Sequence, residues 1–379
     1  MVDQYRICTR CVMDTSAKDI VFNEDGTCNF CANFISQSGG VIHENAGVKE
    51  AKLKALVSEI KRKGRGKKYD CIVGVSGGVD SSWVLAKAVQ LELRPLAVHM
   101  DNGWNSELAQ NNIENLVNGL GVDLHTHVIN WIEYKALMQA FFDANVIDIE
   151  LLYDNAMLAV NYHMANYHGI DYILSGSNQA TEGMVMPQGW NWFKYDKSNI
   201  KKIAKKFGNV KIRTFPSIGT LDYIWLRLLK GIKWISILDL MDYNKFRAMD
   251  ELQKNYGYKP YPYKHYESIF TRFYQGYILP EKFSVDKRRL HLSTLIISGQ
   301  ITREKALDGL KGIPYLSEKE RDDDIKYFIK KMGWDNQKLG TYIKDKEIQH
   351  ATYGSELWLW NFMLRIKNFR SGSGKNKSF

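Results

Sequence analysis

The sequence predicts an α/β fold: a doubly wound, mostly parallel sheet with helices on both faces, an N-terminal four-cysteine zinc knuckle in front and a helical C-terminal region behind. Three observations predict it. Short apolar runs alternate with helical periodicities from residue 69 to residue 174, the rhythm of a parallel sheet. Two Cys-x-x-Cys pairs precede that rhythm. Beyond Thr181 it gives way to aromatic, basic and then helical sequence.

The knuckle comes first in the chain. Cys8 and Cys11, then Cys28 and Cys31, are two short pairs at the spacing of a four-cysteine zinc site, with a turn at residues 22–26 between them. Each pair puts two thiolates on one tight turn, and Zn²⁺ takes four such ligands tetrahedrally with no open position, so the metal is structural. A segment this small buries little surface, and metal binding supplies its folding energy. Disulfides are the alternative, and they conflict with the expected compartment. Cys71, the fifth cysteine, falls in a predicted strand as a small buried hydrophobe.

A helix over 48–63 leads into the sheet. Residues 69–75 read as a buried strand, and Trp83 to Leu91 as the helix after it. A second strand over 95–100 ends at Asp101-Asn-Gly, followed by a helix over 106–120, a third strand over 122–129 and helices over 131–145 and 155–168. A fourth strand, 172–174, ends at Ser175-Gly176-Ser177-Asn178. Ligands of such sheets sit beyond the carboxyl ends of the strands, where Ser76, Asp101 and Ser175 all fall. Met100 and its neighbours are placed to offer backbone polar groups to an adenine. Asp101 is placed to hold Mg²⁺ or a ribose, or simply to make the turn before Asn-Gly. The Ser175–Asn178 turn, with Gly176 and Ser177, is placed to face an α-phosphate or a reacting carbonyl.

The turn between the first strand and its helix carries the most chemistry. In Ser76-Gly77-Gly78-Val79-Asp80-Ser81 two glycines let backbone N–H groups approach an anion, with the helix dipole behind them. Ser76 and Ser81 add hydroxyls. Asp80 repels a phosphate unless it works through Mg²⁺ or caps the helix. The chain has no Gly-x-x-x-x-Gly-Lys-Ser/Thr, so no Walker lysine reaches the phosphates.

Length, 379 residues, accommodates two domains, and 45% apolar with 25% charged residues is ordinary for a soluble globular protein. No apolar run suggests a signal peptide or a membrane helix, so a cytoplasmic location is expected. A net charge of +10 suits an acidic substrate, a nucleic acid or an anionic surface. Part of it is local, in residues 61–68, read as a solvated linker, in 201–211 and in the C-terminal tail. Residues 221–241 show an apolar stripe with Arg227, Lys230 and Lys233 interspersed. It is read as a core or subunit-contact helix in preference to a membrane-surface one. Further helices are predicted over 284–298, 302–311, 317–332 and 355–368. The pairs His125/His127 and His163/His168 lack a metal-binding arrangement.

Ser-Gly-Gly-x-Asp-Ser resembles the PP-loop of the ATP pyrophosphatases, which split ATP into AMP and pyrophosphate. Together with both Cys-x-x-Cys pairs, Asp101-Asn-Gly-Trp104, Ser175-Gly-Ser-Asn-Gln-Ala-Thr-Glu-Gly183 and Asp286-Lys-Arg-Arg-Leu-His-Leu-Ser293, it makes a set that resembles the N-acetyl sugar amidotransferase family of bacterial surface-polysaccharide (lipopolysaccharide O-antigen) synthesis. The resemblance implies a PP-loop ATP pyrophosphatase fold and an AMP-forming ligase. Such an enzyme adenylylates the acetamido oxygen of a UDP-linked sugar, a 2,3-diacetamido-uronic acid in the best-known branch, and replaces that oxygen with ammonia. It implies ATP and Mg²⁺ at Ser76, Gly77, Gly78, Asp80 and Ser81, with Lys264 meeting the departing pyrophosphate. It places Ser177, Asn178 and Glu182 at the acetamido group, and Arg288, Arg289 and His291 at the sugar carboxylate or the UDP phosphates. It also implies a separate glutaminase and a barrel-like ammonia-delivering partner, related to those of imidazole glycerol phosphate synthesis.

The domain organisation expected on this basis is a knuckle over 1–40, a PP-loop ATP-binding domain over 41–185, a substrate or partner region over 186–370 and a disordered tail over 371–379. Two rival readings share the loop: a tRNA-modifying enzyme of the lysidine or thiolation type, and an ATP-binding zinc-ribbon adaptor without chemistry. Salt-dependent RNA binding would mark the first, and ATP affinity without pyrophosphate release the second.

Overall fold

The computed structural model describes residues 5–262, 264 and 266–371, with side chains to residue 366, so the expected tail lies almost wholly outside the described residues. Five parallel strands form one sheet in the order β3-β2-β1-β4-β5: β1 (Cys71–Gly74), β2 (Pro95–Asp101), β3 (Leu124–Val128), β4 (Tyr172–Ser175) and β5 (Lys233–Ser236). β1, β2 and β4 are buried almost throughout because helices cover both faces, which is why they read in sequence as unbroken apolar runs. β3, at the edge, alternates exposed and half-buried residues.

β5 corrects the expectation of a helix over 221–241. The helix Thr220–Ile224 widens into a π-turn at Trp225–Leu229 and stops at Gly231, whose φ of +72° ends helical geometry. Lys233 then pairs with Tyr172 and Ser236 with Ser175, and a 3-10 turn, Ile237–Leu240, closes the segment. The sheet therefore takes a strand from beyond residue 185, the boundary expected for the nucleotide domain. Sequence reading also passed over the helices Lys197–Phe207, Lys245–Tyr256 and Asn336–Lys344. Lys245–Tyr256 packs on the helix Val79–Gln90 that follows the Gly-rich turn.

From β1 the chain winds outward to β2 and β3. It then returns through the helices Trp131–Asp143 and Leu151–Tyr167 to place β4 on the other side of β1. This reversal leaves a crevice between the carboxyl ends of β1 and β4, the place where doubly wound sheets bind their ligands.

The knuckle is fastened to the C-terminal helices. Arg303 donates to the carbonyls of Cys11 (3.0 Å) and Cys8 (2.9 Å). The Val12 N–H donates to Ser293 Oγ at 3.1 Å. Its helix, Asn29–Ile42, lies against both Gln179–Glu182 and Arg288–Ile297.

Candidate active site

β1 is held in register past its end: the Val75 N–H donates to the Val98 carbonyl at 2.8 Å, and His99 Nδ1 lies 2.9 Å from the Val75 carbonyl. The chain then turns through Gly77, with φ +84°, and the helix Val79–Gln90 starts from Gly78 without a capping side chain. Its first-turn N–H groups have no intrahelical acceptor and converge on the turn. Ser81 Oγ accepts from the Ser76 N–H (3.3 Å) and donates to the Gly78 carbonyl (3.2 Å), which shapes the loop. Gly176 abuts it so closely that a Cβ there would stand 2.8 Å from the Ser81 nitrogen. The ends of β1 and β4 thus form one cradle.

A segment from much later in the chain roofs this cradle. Tyr261 donates to the Gly77 carbonyl at 3.0 Å and is itself held by Asn112 at 3.2 Å. The Ser106 N–H donates to the Glu267 carbonyl (2.9 Å) and the Ile269 N–H to the Trp104 carbonyl (2.8 Å), so residues 267–269 lie along the loop after β2. Glu267 turns its carboxylate onto the loop: a Cβ on Gly78 would meet Glu267 Oε1 at 2.6 Å. Tyr243 donates a short hydrogen bond to the Asp80 carboxylate. Lys264 pairs with Glu182 at 2.8 Å, with His291 Nδ1 3.5 Å away.

Electrostatically the site is a compact set of opposed charges. Burial pushes the Asp80 carboxyl up, against the pull of Lys245 and Lys264. Burial raises Glu267 in the same way, opposed by the same two lysines. Burial by itself would lower Lys264, but the Glu182 and Asp80 carboxylates outweigh it and hold the ammonium above its ordinary value. Two carboxylates whose charge is disfavoured, beside two serine hydroxyls, make a hard oxygen donor set of the kind Mg²⁺ takes.

Other candidate residues have defined places. Asp101 Oδ1 closes its own turn, accepting from the Gly103 N–H (2.8 Å) and from Asn105 (3.2 Å), while Met100 is buried within β2. Asn178 caps Gln179–Glu182: it accepts from the Thr181 N–H at 2.9 Å and donates to the Gly176 carbonyl at 3.0 Å, which spends its amide on the shape of the turn. Ser177 is exposed beside it, its N–H bonded to Ser175 Oγ at 3.1 Å.

Arg288 and Arg289, expected at the sugar carboxylate or UDP phosphates, are engaged inside the protein. Arg288 grips Asp286 (2.8 Å), and Arg289 pairs with buried Asp14 of the knuckle (2.9 Å) and donates to the Val12 carbonyl (2.9 Å). Arg289→Ala leaves that carboxylate its hydrogen bonds from Tyr5 and Ser16 but removes its countercharge, so it should cost about 3 kcal/mol of stability in a denaturant titration. Nucleotide KM should not move.

Sequence reading missed three residues here: Glu267, Tyr261 and Tyr243. The first two stand in the run Tyr-Pro-Tyr-Lys-His-Tyr-Glu around Lys264, and that aromatic cluster was the available signal. Tyr243 had none.

The four knuckle thiols meet the metal requirement independently. All four Sγ atoms lie within 4.8 Å of one another. Cys8–Cys31 and Cys28–Cys31 are at 3.7 Å and Cys11–Cys28 at 3.8 Å. A tetrahedron of about 2.3 Å zinc–sulfur bonds has edges of about 3.8 Å. The purified chain should therefore carry about one zinc per molecule. Cys31→Ser should lose it, with a lowered melting temperature read beside metal analysis.

Residues 267–367 match the model of the LPS biosynthesis protein WbpG-like C-terminal domain, and residues 50–208 match that of NAD synthase. No curated protein matches the chain. Among solved structures, the NMN synthetase of Francisella tularensis is 15% identical, with 59% of this chain and 99% of that one covered at a TM-score of 0.30. The NH3-dependent NAD synthetase of Campylobacter jejuni is 17% identical, covering 57% and 99% at 0.28. A predicted tRNA methyltransferase subunit from Methanocaldococcus jannaschii is 13% identical, covering 48% and 75% at 0.28.

Proposed function

For a chain that joins a PP-loop, NAD synthase-like domain to a C-terminal domain of the WbpG-like lipopolysaccharide-biosynthesis type, we propose the activity of an ATP-dependent, AMP-forming amidotransferase acting on a nucleotide-linked N-acetylated amino sugar. The observation that carries it is the roofed cradle. A glycine-rich loop and helix start lie at the sheet's switch point, and a lysine reaches that place from the segment that opens the C-terminal domain.

In this reading the amide oxygen of the sugar's acetamido group attacks the α-phosphorus of ATP. The α–β bond breaks and pyrophosphate leaves. Ammonia then adds to the activated carbon, AMP departs with the former amide oxygen, and loss of a proton gives the acetamidino group. Adenylylation is needed because an amide carbonyl is a poor electrophile and its oxygen a poor leaving group. The loop N–H groups and Ser76 and Ser81 hydroxyls bind the β/γ-phosphates, and Lys264 offsets the charge gathering on departing pyrophosphate. Asp80 and Glu267 would hold Mg²⁺, which when bound neutralises phosphate charge. Glu182 holds Lys264 in place at 2.8 Å.

The ammonia has to come from elsewhere. Of five cysteines, four belong to the knuckle, and Cys71 is fully buried in β1 with its thiol pushed up by desolvation, so none of them is an activated glutaminase nucleophile. A glutaminase and a barrel-like carrier delivering ammonia to the carboxyl end of the sheet complete the proposal, as does UDP-2,3-diacetamido-uronic acid as the substrate.

The test is to incubate the chain with ATP, Mg²⁺, ammonium and that sugar nucleotide and to analyse the products by mass spectrometry. AMP, pyrophosphate and a sugar in which NH has replaced O are expected. ADP and orthophosphate would overturn the reading.

A further inference from the structure

The nucleotide site uses only the carboxyl end of the sheet. At the amino end, the eight residues entering β1, 61–68, hold six cations and no acid. Four are tied to acids before the neighbouring strands: Lys61 to Glu92 at 2.8 Å, Lys63 and Lys67 to Asp171 at 3.0 and 3.3 Å, and Lys68 to Asp123 at 2.9 Å. These pairs fix the basic segment across the entries to β3 and β4, while Arg62 and Arg65 remain exposed.

The same end carries apolar side chains with no place in the core. Immediately before β5, the π-turn buries Leu226 but leaves Trp225 43%, Leu228 70% and Leu229 76% exposed. Lys230 follows, with its ammonium 5.0 Å from the Trp225 ring. This segment is anchored at the strand entries: the Ile232 N–H donates to the Leu226 carbonyl at 3.1 Å, and the Lys233 N–H to the Asp171 carbonyl at 2.7 Å. Apolar prongs, a tryptophan and a cationic surround thus share one end of the molecule.

We propose that the amino-terminal end of the sheet docks on an anionic lipid bilayer, with Leu228, Leu229 and the edge of Trp225 entering the interface and the 61–68 segment facing the headgroups. Long apolar side chains, an interfacial tryptophan and lysines and arginines beside them are the combination such surfaces take. Among the described residues no helix is long and apolar enough to cross a membrane, and the contact proposed is with the bilayer interface alone. Pairing with a second copy through this end would oppose two cationic segments. An ammonia-delivering partner has to open onto the other end of the sheet. Docking in this orientation leaves the cradle facing away from the lipid, open to soluble nucleotides.

Vesicle co-sedimentation of the full chain tests the proposal. Vesicles of phosphatidylcholine with phosphatidylglycerol should bind it, pure phosphatidylcholine should bind it far less, and high salt should release it. Leu228→Asp with Leu229→Asp, and separately Arg62→Glu with Arg65→Glu, should each weaken binding about tenfold or more while melting temperature and pyrophosphate release are retained. The proposal is overturned by absent binding, by equal binding to neutral vesicles or by binding undiminished in both variants. A lipid-free change from dimer to monomer in the leucine variant would overturn it too, since the patch would then be an interface between copies.

Discussion

Asp80→Asn is expected to lower the AMP-forming rate by about a thousandfold or more while the protein melts at the same temperature as the parent or slightly above it. The two effects have one cause. The Asp80 residue is half-buried, and desolvation of its carboxyl holds the pKa above the ordinary aspartate value despite Lys245 and Lys264. An acid raised in the folded state costs stability once it ionises. The cost begins as pH climbs above the ordinary aspartate value and is complete beyond the raised one. Asparagine keeps an acceptor for Tyr243 and removes the charge. The melting-temperature difference between variant and parent should therefore widen as pH rises through that window. Mg²⁺ should recover the deficit for the parent and do little for the variant, because a cation relieves an ionised carboxylate and not an amide. Calorimetry across pH, with and without Mg²⁺, reads all of this. A variant that turns over normally, or that gains as much from Mg²⁺ as the parent, removes Asp80 from the nucleotide site.

How far the sequence disclosed this site depends on how local each signal is. β1, the Gly-rich turn and the knuckle were legible because strands covered on both faces are continuously apolar and because a phosphate turn and paired cysteines are short-range patterns. β5 was not. Lys-Trp-Ile-Ser is four half-buried residues after an amphipathic turn, and helical periodicity simply runs on through it unless Gly231 is taken as a stop. The roof was invisible for a different reason: Tyr243 meets Asp80 across 163 residues of chain, and no local pattern encodes such a pairing. The internal pairings of Arg288 and Arg289 were not legible either, because a guanidinium that grips Asp286 or Asp14 has the same sequence appearance as one that grips a substrate carboxylate.

Lys264→Met is expected to reduce kcat by about a hundred- to a thousandfold with little change in the KM for ATP, the pattern of an interaction that grows toward the transition state. The loop and helix N–H groups already bind ground-state phosphates. The lysine matters most as the bridging oxygen takes on charge and pyrophosphate leaves. Glu182 at 2.8 Å fixes the ammonium, and together with Asp80 it holds the lysine pKa above its ordinary value in spite of burial. A raised lysine contributes stability below the ordinary lysine pKa and loses it only as pH rises through the raised value, so Lys264 stays charged through the neutral and mildly alkaline range. No fall in rate there should trace to it. Glu182→Gln should slow the parent by loosening the lysine but add little in the Lys264→Met background, a non-additivity that separates positioning from direct contact. Arginine, bulkier and forked, should restore part of the charge effect and not the geometry. If Lys264→Met stays within about threefold of the parent in kcat, or if its loss appears only in the KM for ATP, the pyrophosphate is met by another group, and Lys245, the second lysine acting on Asp80, is the residue to replace next.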